Sequence, residues 1–120
     1  YPHFVGYAEE RGAGEGEGFN LNVPLPEGTG DDAFVAAVES IIDAARAFGA
    51  GAIVVAAGWD AHQADPLSRL AVTSEAYARL GTAFGRVGLP IVVVQEGGYS
   101  LAAVEEAAPL FVAALRAAMG

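Results

Sequence analysis

The chain has 120 residues, 53% of them apolar and 18% charged, which suffices for one small core and excludes a disordered polymer. Six Lys and Arg against 15 Asp and Glu leave a net charge of −9, a balance that repels phosphate backbones and attracts cations such as polyamines or lysine-bearing peptides, so no direct nucleic-acid partner is expected. The absence of cysteine removes disulfides and thiolate zinc sites, and no apolar run reaches the roughly 18 residues of a membrane span.

Residues 1–18 set an aromatic cluster before an aperiodic Gly/Glu stretch and read as a loop. Residues 19–23 alternate apolar and polar, a short strand pattern that stops at Pro24; a turn follows through Gly28. A first helix is predicted from near Asp31, with Thr29 or Asp31 as its cap. Phe34, Val38, Ile41, Ile42, Ala45 and Phe48 form its apolar stripe, and Gly49 and Gly51 stop it. Residues 52–57 are a continuous β-branched run, the pattern of a parallel strand buried on both faces.

After a long loop, 58–70, a second helix is predicted from Ser74, with Tyr77, Leu80, Phe84 and Val87 on one side and Gly88 at its end. Pro90 opens a third strand, 91–95, which runs into the tight turn Glu96-Gly97-Gly98-Tyr99. Ser100 can cap a third helix that Pro109 must break or restart; Phe111, Val112 and Leu115 give it an apolar face. The expectation is one α/β domain over 1–120, a parallel sheet flanked by helices, with ligands at the carboxyl ends of the strands.

Two loops leave those ends, and both carry unusual polar residues. Asp60 directly follows a buried strand, where a carboxylate must be paired, capped or bound to a metal. Asp60 and His62 are two apart and could face one side as a metal pair, although a hydrogen-bond or cap role within the loop is the more ordinary account of them. Asp65-Pro66 reads as a turn pair. Tyr99 stands at the end of the third strand, either as a phenol donor to an oxyanion or as packing over the sheet edge. His3 has no partner in sequence and reads as a surface histidine. The glycines between 12 and 18 follow no strand and are interleaved with Glu15 and Glu17, which argues against phosphate.

Taken in order, Tyr1-Pro2-His3-Phe4-Val5-Gly6, Gly18-Phe19-Asn20-Leu21-Asn22-Val23-Pro24-Leu25-Pro26, Ala57-Gly58-Trp59-Asp60-Ala61-His62 with Asp65-Pro66-Leu67, and Glu96-Gly97-Gly98-Tyr99 resemble the C-terminal half of the histone deacetylase and acetylpolyamine amidohydrolase family. The resemblance implies a three-layer, arginase/deacetylase-like parallel sheet, present here in part. It implies that Asp60 is a zinc ligand and Tyr99 the catalytic tyrosine that polarises an acetyl carbonyl. Leu67, Gly97 and Gly98 would line the substrate channel, Phe4 would lie near its rim, and Asp65 would be structural; metal binding does not carry over to His62.

The family's other zinc ligands and its paired-histidine base have no counterpart here. The implied function is one half of a zinc-dependent deacetylase of acetyl-lysine or acetylpolyamine amides, inactive alone. The start at Tyr1 suggests a fragment or a processed chain, and no leader or membrane segment is visible, so a cytoplasmic, non-membrane protein is expected, either homo-oligomeric or paired with the missing half. The rivals are a non-catalytic interaction module that kept half the fold and a generic Rossmann-like ligand domain.

Overall fold

The computed structural model describes residues 4–120, so the expectations on Tyr1, Pro2 and His3 lie outside the described residues. Its main elements are helix α1 (Asp31–Phe48), strand β1 (Ile53–Ala57), helix α2 (Ser74–Gly85), strand β2 (Ile91–Gln95) and helix α3 (Leu101–Met119). β1 and β2 pair in parallel, with Ile53 opposite Ile91 and Ala57 opposite Gln95. Both strands therefore deliver their following loops to the same end of the sheet.

The alternating stretch 19–23 forms no strand. Its asparagines bond to the preceding loop instead: Asn20 Nδ2 donates to the Glu10 carbonyl at 2.7 Å, and Asn22 Nδ2 to the Tyr7 carbonyl at 2.9 Å. A period-two pattern needs a neighbouring strand to become a ladder, and none lies beside it among the described residues. Neither Thr29 nor Asp31 caps α1. Gly30 holds that position without a side-chain bond, while Asp31 reaches across to the start of α2, accepting from Thr73 N at 2.7 Å and Thr73 Oγ1 at 2.6 Å. Gly49 closes α1 in the left-handed region, at φ 80°.

Thr73 caps α2 and Ser100 caps α3. Pro109 does not break α3. Both Pro109 and Glu105, whose carbonyl the proline leaves without its usual donor, are on the exposed side, where water can satisfy it. Helices α2 and α3 pack closely because Gly81 and Gly85 face α3: a Cβ at Gly81 would overlap the Phe111 carbonyl, and one at Gly85 would lie 2.6 Å from the Leu115 carbonyl oxygen.

The core gathers Val35 and Ile42 of α1, Tyr77, Leu80 and Phe84 of α2, and Phe111 and Leu115 of α3 around Trp59 and Val72; Ile53, Val55, Ile91 and Val93 pack against it. Only that face of the sheet is covered. On the other face, Val54, Ala56, Val92 and Val94 are exposed, Val54 to 71%, so the run at β1 that anticipates burial on both sides is covered on one. A cleft of about 330 Å³ also opens along β1, between Phe34, Val38 and Ile41 of α1 and Tyr77 and Phe84 of α2. No helix among the described residues is long and apolar enough to cross a membrane.

Candidate functional site

The two loops at the carboxyl end of the sheet are stitched together from their first residues. Glu96 N donates to the Ala57 carbonyl at 2.9 Å, and Trp59 N to the Gly97 carbonyl at 2.8 Å, which carries the β1–β2 pairing into the loops. Asp60 projects from this extension, partly buried. Its carboxylate lies against the backbones of Gly58 and Gly97. A Cβ on Gly58 would sit 2.6 Å from Oδ1, and one on Gly97 would overlap the carboxylate outright. Gly98, at φ 146°, leaves room for Trp59: a Cβ there would be 3.1 Å from the indole and 2.9 Å from Val104 Cγ2. Two of the three glycines thus give room to one carboxylate where it stands, and that carboxylate has no hydrogen-bond or ion-pair partner among the described residues.

His62 is different. It is 6% exposed, and Nδ1 accepts the Ala64 amide at 3.1 Å, which assigns the ring hydrogen to Nε2, 3.1 Å from Ser74 Oγ. Its ring stacks on Tyr77, with centroids 6.4 Å apart. Both nitrogens are engaged within the fold, so the Asp60–His62 metal pair that the spacing allowed does not form. Among the described residues no three His, Cys, Asp or Glu side chains gather as a metal site.

Asp65 is the residue whose reach the sequence did not reveal. It is 5% exposed. Oδ1 accepts from Leu67 N at 3.0 Å, while Oδ2 accepts from Tyr99 N at 2.7 Å and Ser100 N at 3.1 Å. Burial alone would raise its pKa; the amides of Leu67, Tyr99 and Ser100, helped by nearby His62, outweigh this and hold it below the ordinary 3.8. The short-range half, an Asx turn onto Leu67, is legible in Asp65-Pro66-Leu67. The bonds to 99 and 100 span 34 and 35 positions and carry no local signal.

Tyr99 follows directly, its side chain 60% exposed at the mouth of the two loops; Leu67, 68% exposed, flanks the same loop pair. Behind them, the Tyr77 hydroxyl and Trp59 Nε1 are buried without hydrogen-bond partners. The amides of Ala61 and His62 face the Tyr77 hydroxyl but not at hydrogen-bonding geometry; burial, then the charges of Asp60 and Asp65, push its pKa up. The structure therefore brings Asp60, Gly97, Gly98, Tyr99 and Leu67 to one end of the sheet. Phe4, exposed, belongs to the N-terminal loop.

As a fit for zinc, this set offers one candidate oxygen ligand, Asp60. A half-buried carboxylate with no partner, cradled by two glycine backbones, has the chemistry of a metal-binding oxygen, whereas a zinc site needs about three protein ligands.

Comparison with known proteins gives one consistent answer. The model of the histone deacetylase domain matches residues 1–115. An acetylpolyamine amidohydrolase of Burkholderia pseudomallei is 42% identical over 111 residues, 92% of this chain and 33% of that protein. Acetylpolyamine amidohydrolase 1 of Pseudomonas aeruginosa is 40% identical over 104 residues, 87% of this chain and 30% of that protein. The crystal structure of an acetylpolyamine aminohydrolase from Burkholderia pseudomallei superposes with a TM-score of 0.93 at 41% identity, covering 98% of this chain and 34% of that one. The α/β arrangement described above is thus a partial deacetylase-type fold, and the chain spans about a third of the length of these relatives.

Proposed function

The chain belongs to the histone deacetylase domain family, and on that footing we propose that it contributes a metal ligand and an oxyanion donor to zinc-dependent hydrolysis of an acetylated amine. The observation that carries this reading is the unpartnered Asp60 carboxylate, held by Gly58 and Gly97 beside the loop that presents Tyr99. In this reading the remaining zinc ligands and the proton-transferring base are supplied from outside these 120 residues, which span about a third of the length of the relatives.

Zinc bound there supplies water activation and polarisation of the amide carbonyl. Asp60 would hold it and add the negative charge that keeps it in place. The Tyr99 phenol donates a hydrogen bond to the acetyl oxygen, a bond that strengthens as the oxygen becomes an oxyanion. Leu67, Gly97 and Gly98 border the channel through which the acetyl group arrives. The products are acetate and a free amine. The net charge of −9 supports a substrate that carries positive charge beside its acetyl group, and the names of the relatives support an acetylpolyamine, with acetyl-lysine in a basic peptide as the other candidate. The bare sheet face and the cleft along β1 support pairing with the rest of the domain.

The reading is tested in the full-length enzyme that carries this segment, by kinetics and zinc content measured in parallel. Tyr99→Phe should lower kcat by on the order of 10²–10³ with zinc unchanged. Asp60→Ala should lower zinc occupancy itself. The 120-residue chain alone should show no turnover. A Tyr99→Phe enzyme with near-full rate would return Tyr99 to a packing role, and full zinc occupancy in Asp60→Ala would remove Asp60 from the ligand set.

A further inference from the structure

The Tyr99 side chain is mostly exposed and its hydroxyl is not among the bonded groups, so packing does not fix its direction. What fixes it is the backbone. The amides of Tyr99 and Ser100 belong to the two peptide planes on either side of the Tyr99 Cα, and both donate to one oxygen of Asp65, at 2.7 and 3.1 Å. Two planes turned toward a common point restrict φ and ψ of the residue between them, and with them the direction in which its Cβ leaves, so that the ring turns only about its own χ1 and χ2. The preceding Gly98, at φ 146°, lies where a Cβ would meet Trp59 and Val104. The acceptor is a carboxylate at the amino end of α3, where charge and helix dipole reinforce each other. Its other oxygen holds the Leu67 amide at 3.0 Å, so one buried group sets both the tyrosine loop and the channel-side loop.

We propose that Asp65 is a positioning residue that orients Tyr99 by locking the peptide planes flanking it, a role that rests on the reading of Tyr99 given above. The bonds of Asp65 all go to backbone amides, and its effect on the chemical step reaches the reaction through Tyr99. A misplacement of about 1 Å at a catalytic group can cost on the order of 10²-fold in rate. Asp65→Ala should therefore lower kcat by on the order of 10- to 100-fold with KM and zinc content close to wild type. Asp65→Asn keeps the shape and one acceptor oxygen, and should recover part of the loss.

The deciding experiment is a double-mutant cycle in the full-length enzyme, assayed on a fluorogenic acetyl-lysine amide and an N-acetylated diamine, with Asp65→Ala, Tyr99→Phe and the double variant compared. The double variant should be no slower than Tyr99→Phe alone, because a phenol already removed cannot be misplaced. Multiplicative losses overturn the positioning role and leave Tyr99 as donor. An unchanged rate in Tyr99→Phe overturns the reading of Tyr99 and the positioning role with it. Where the alanine variant does not fold, Asp65→Asn takes its place in the cycle. Its amide spectrum should also show the Leu67, Tyr99 and Ser100 protons moved upfield together; unmoved Tyr99 and Ser100 amides overturn the proposal without reference to activity.

Discussion

Two parts of the loop after β1 hold their polar side chains on opposite terms. From His62 to Ser74 the buried polar groups are partnered: His62 with Ser74 and the Ala64 amide, Asp65 with three amides. Asp60, two residues upstream, lies in a glycine cradle with no partner among the described residues. A buried polar group with its bonds made contributes to stability, whereas a carboxylate desolvated without a donor costs stability. The first arrangement is what a fold needs for itself. The second leaves one carboxylate of this loop open at the carboxyl end of the sheet.

This contrast can be broken most directly at Asp65. Replacing it with alanine strands three amides and should cost about 3 kcal/mol of unfolding free energy, read from the shift of a urea midpoint. A loss near zero would place Asp65 with Asp60 and dissolve the distinction. Next in size is His62→Ala, which removes two hydrogen bonds and the stacking on Tyr77. It should cost about 2 kcal/mol and leave zinc occupancy as in wild type; loss of zinc would make His62 a ligand after all.

A smaller effect follows from the depressed pKa of Asp65. The unfolded chain takes up this proton near 3.8 and the folded chain only at lower pH, so the contribution is fully present above 3.8 and is lost as pH falls through the folded value. Urea midpoints measured in acid should therefore fall less steeply in Asp65→Asn than in wild type. Smallest of all should be Asp60→Asn, which breaks no bond within the fold. Its metal-free stability should stay within about 0.5 kcal/mol of wild type, or rise, while zinc uptake is lost. A destabilisation comparable to that at Asp65 would show that Asp60 has a structural partner.

The same division runs through what could be read in advance. Helix stripes such as Phe34-Val38-Ile42, the β-branched runs 53–57 and 91–95, and the caps Ser100 and Gly49 are local signals, and each element formed where its signal lay. The placement of Asp60 and Tyr99 at one end of the sheet was legible because each lies just past a strand end. The strand at 19–23 was not there, since an alternating pattern describes a face and not the neighbour that must pair with it. The capping of α1 was misread for a related reason: Asp31 has the right residue type, but Thr73, 42 positions away, takes its carboxylate.

By itself the sequence determined the three long helices, the two strands that pair, their parallel order, and the two polar loops at the carboxyl end of the sheet, because periodicity, capping and strand–loop succession are short-range. Only the tertiary structure decided which polar residue of the loop after β1 is satisfied and which is left open. That outcome depends on amides supplied by Tyr99 and Ser100, on the Ser74 hydroxyl, and on the backbone of Gly97 lying against Asp60. Hydrogen-bond satisfaction is a property of neighbours in space, and these neighbours meet only after β1 and β2 have paired and carried their loops to the same end of the sheet.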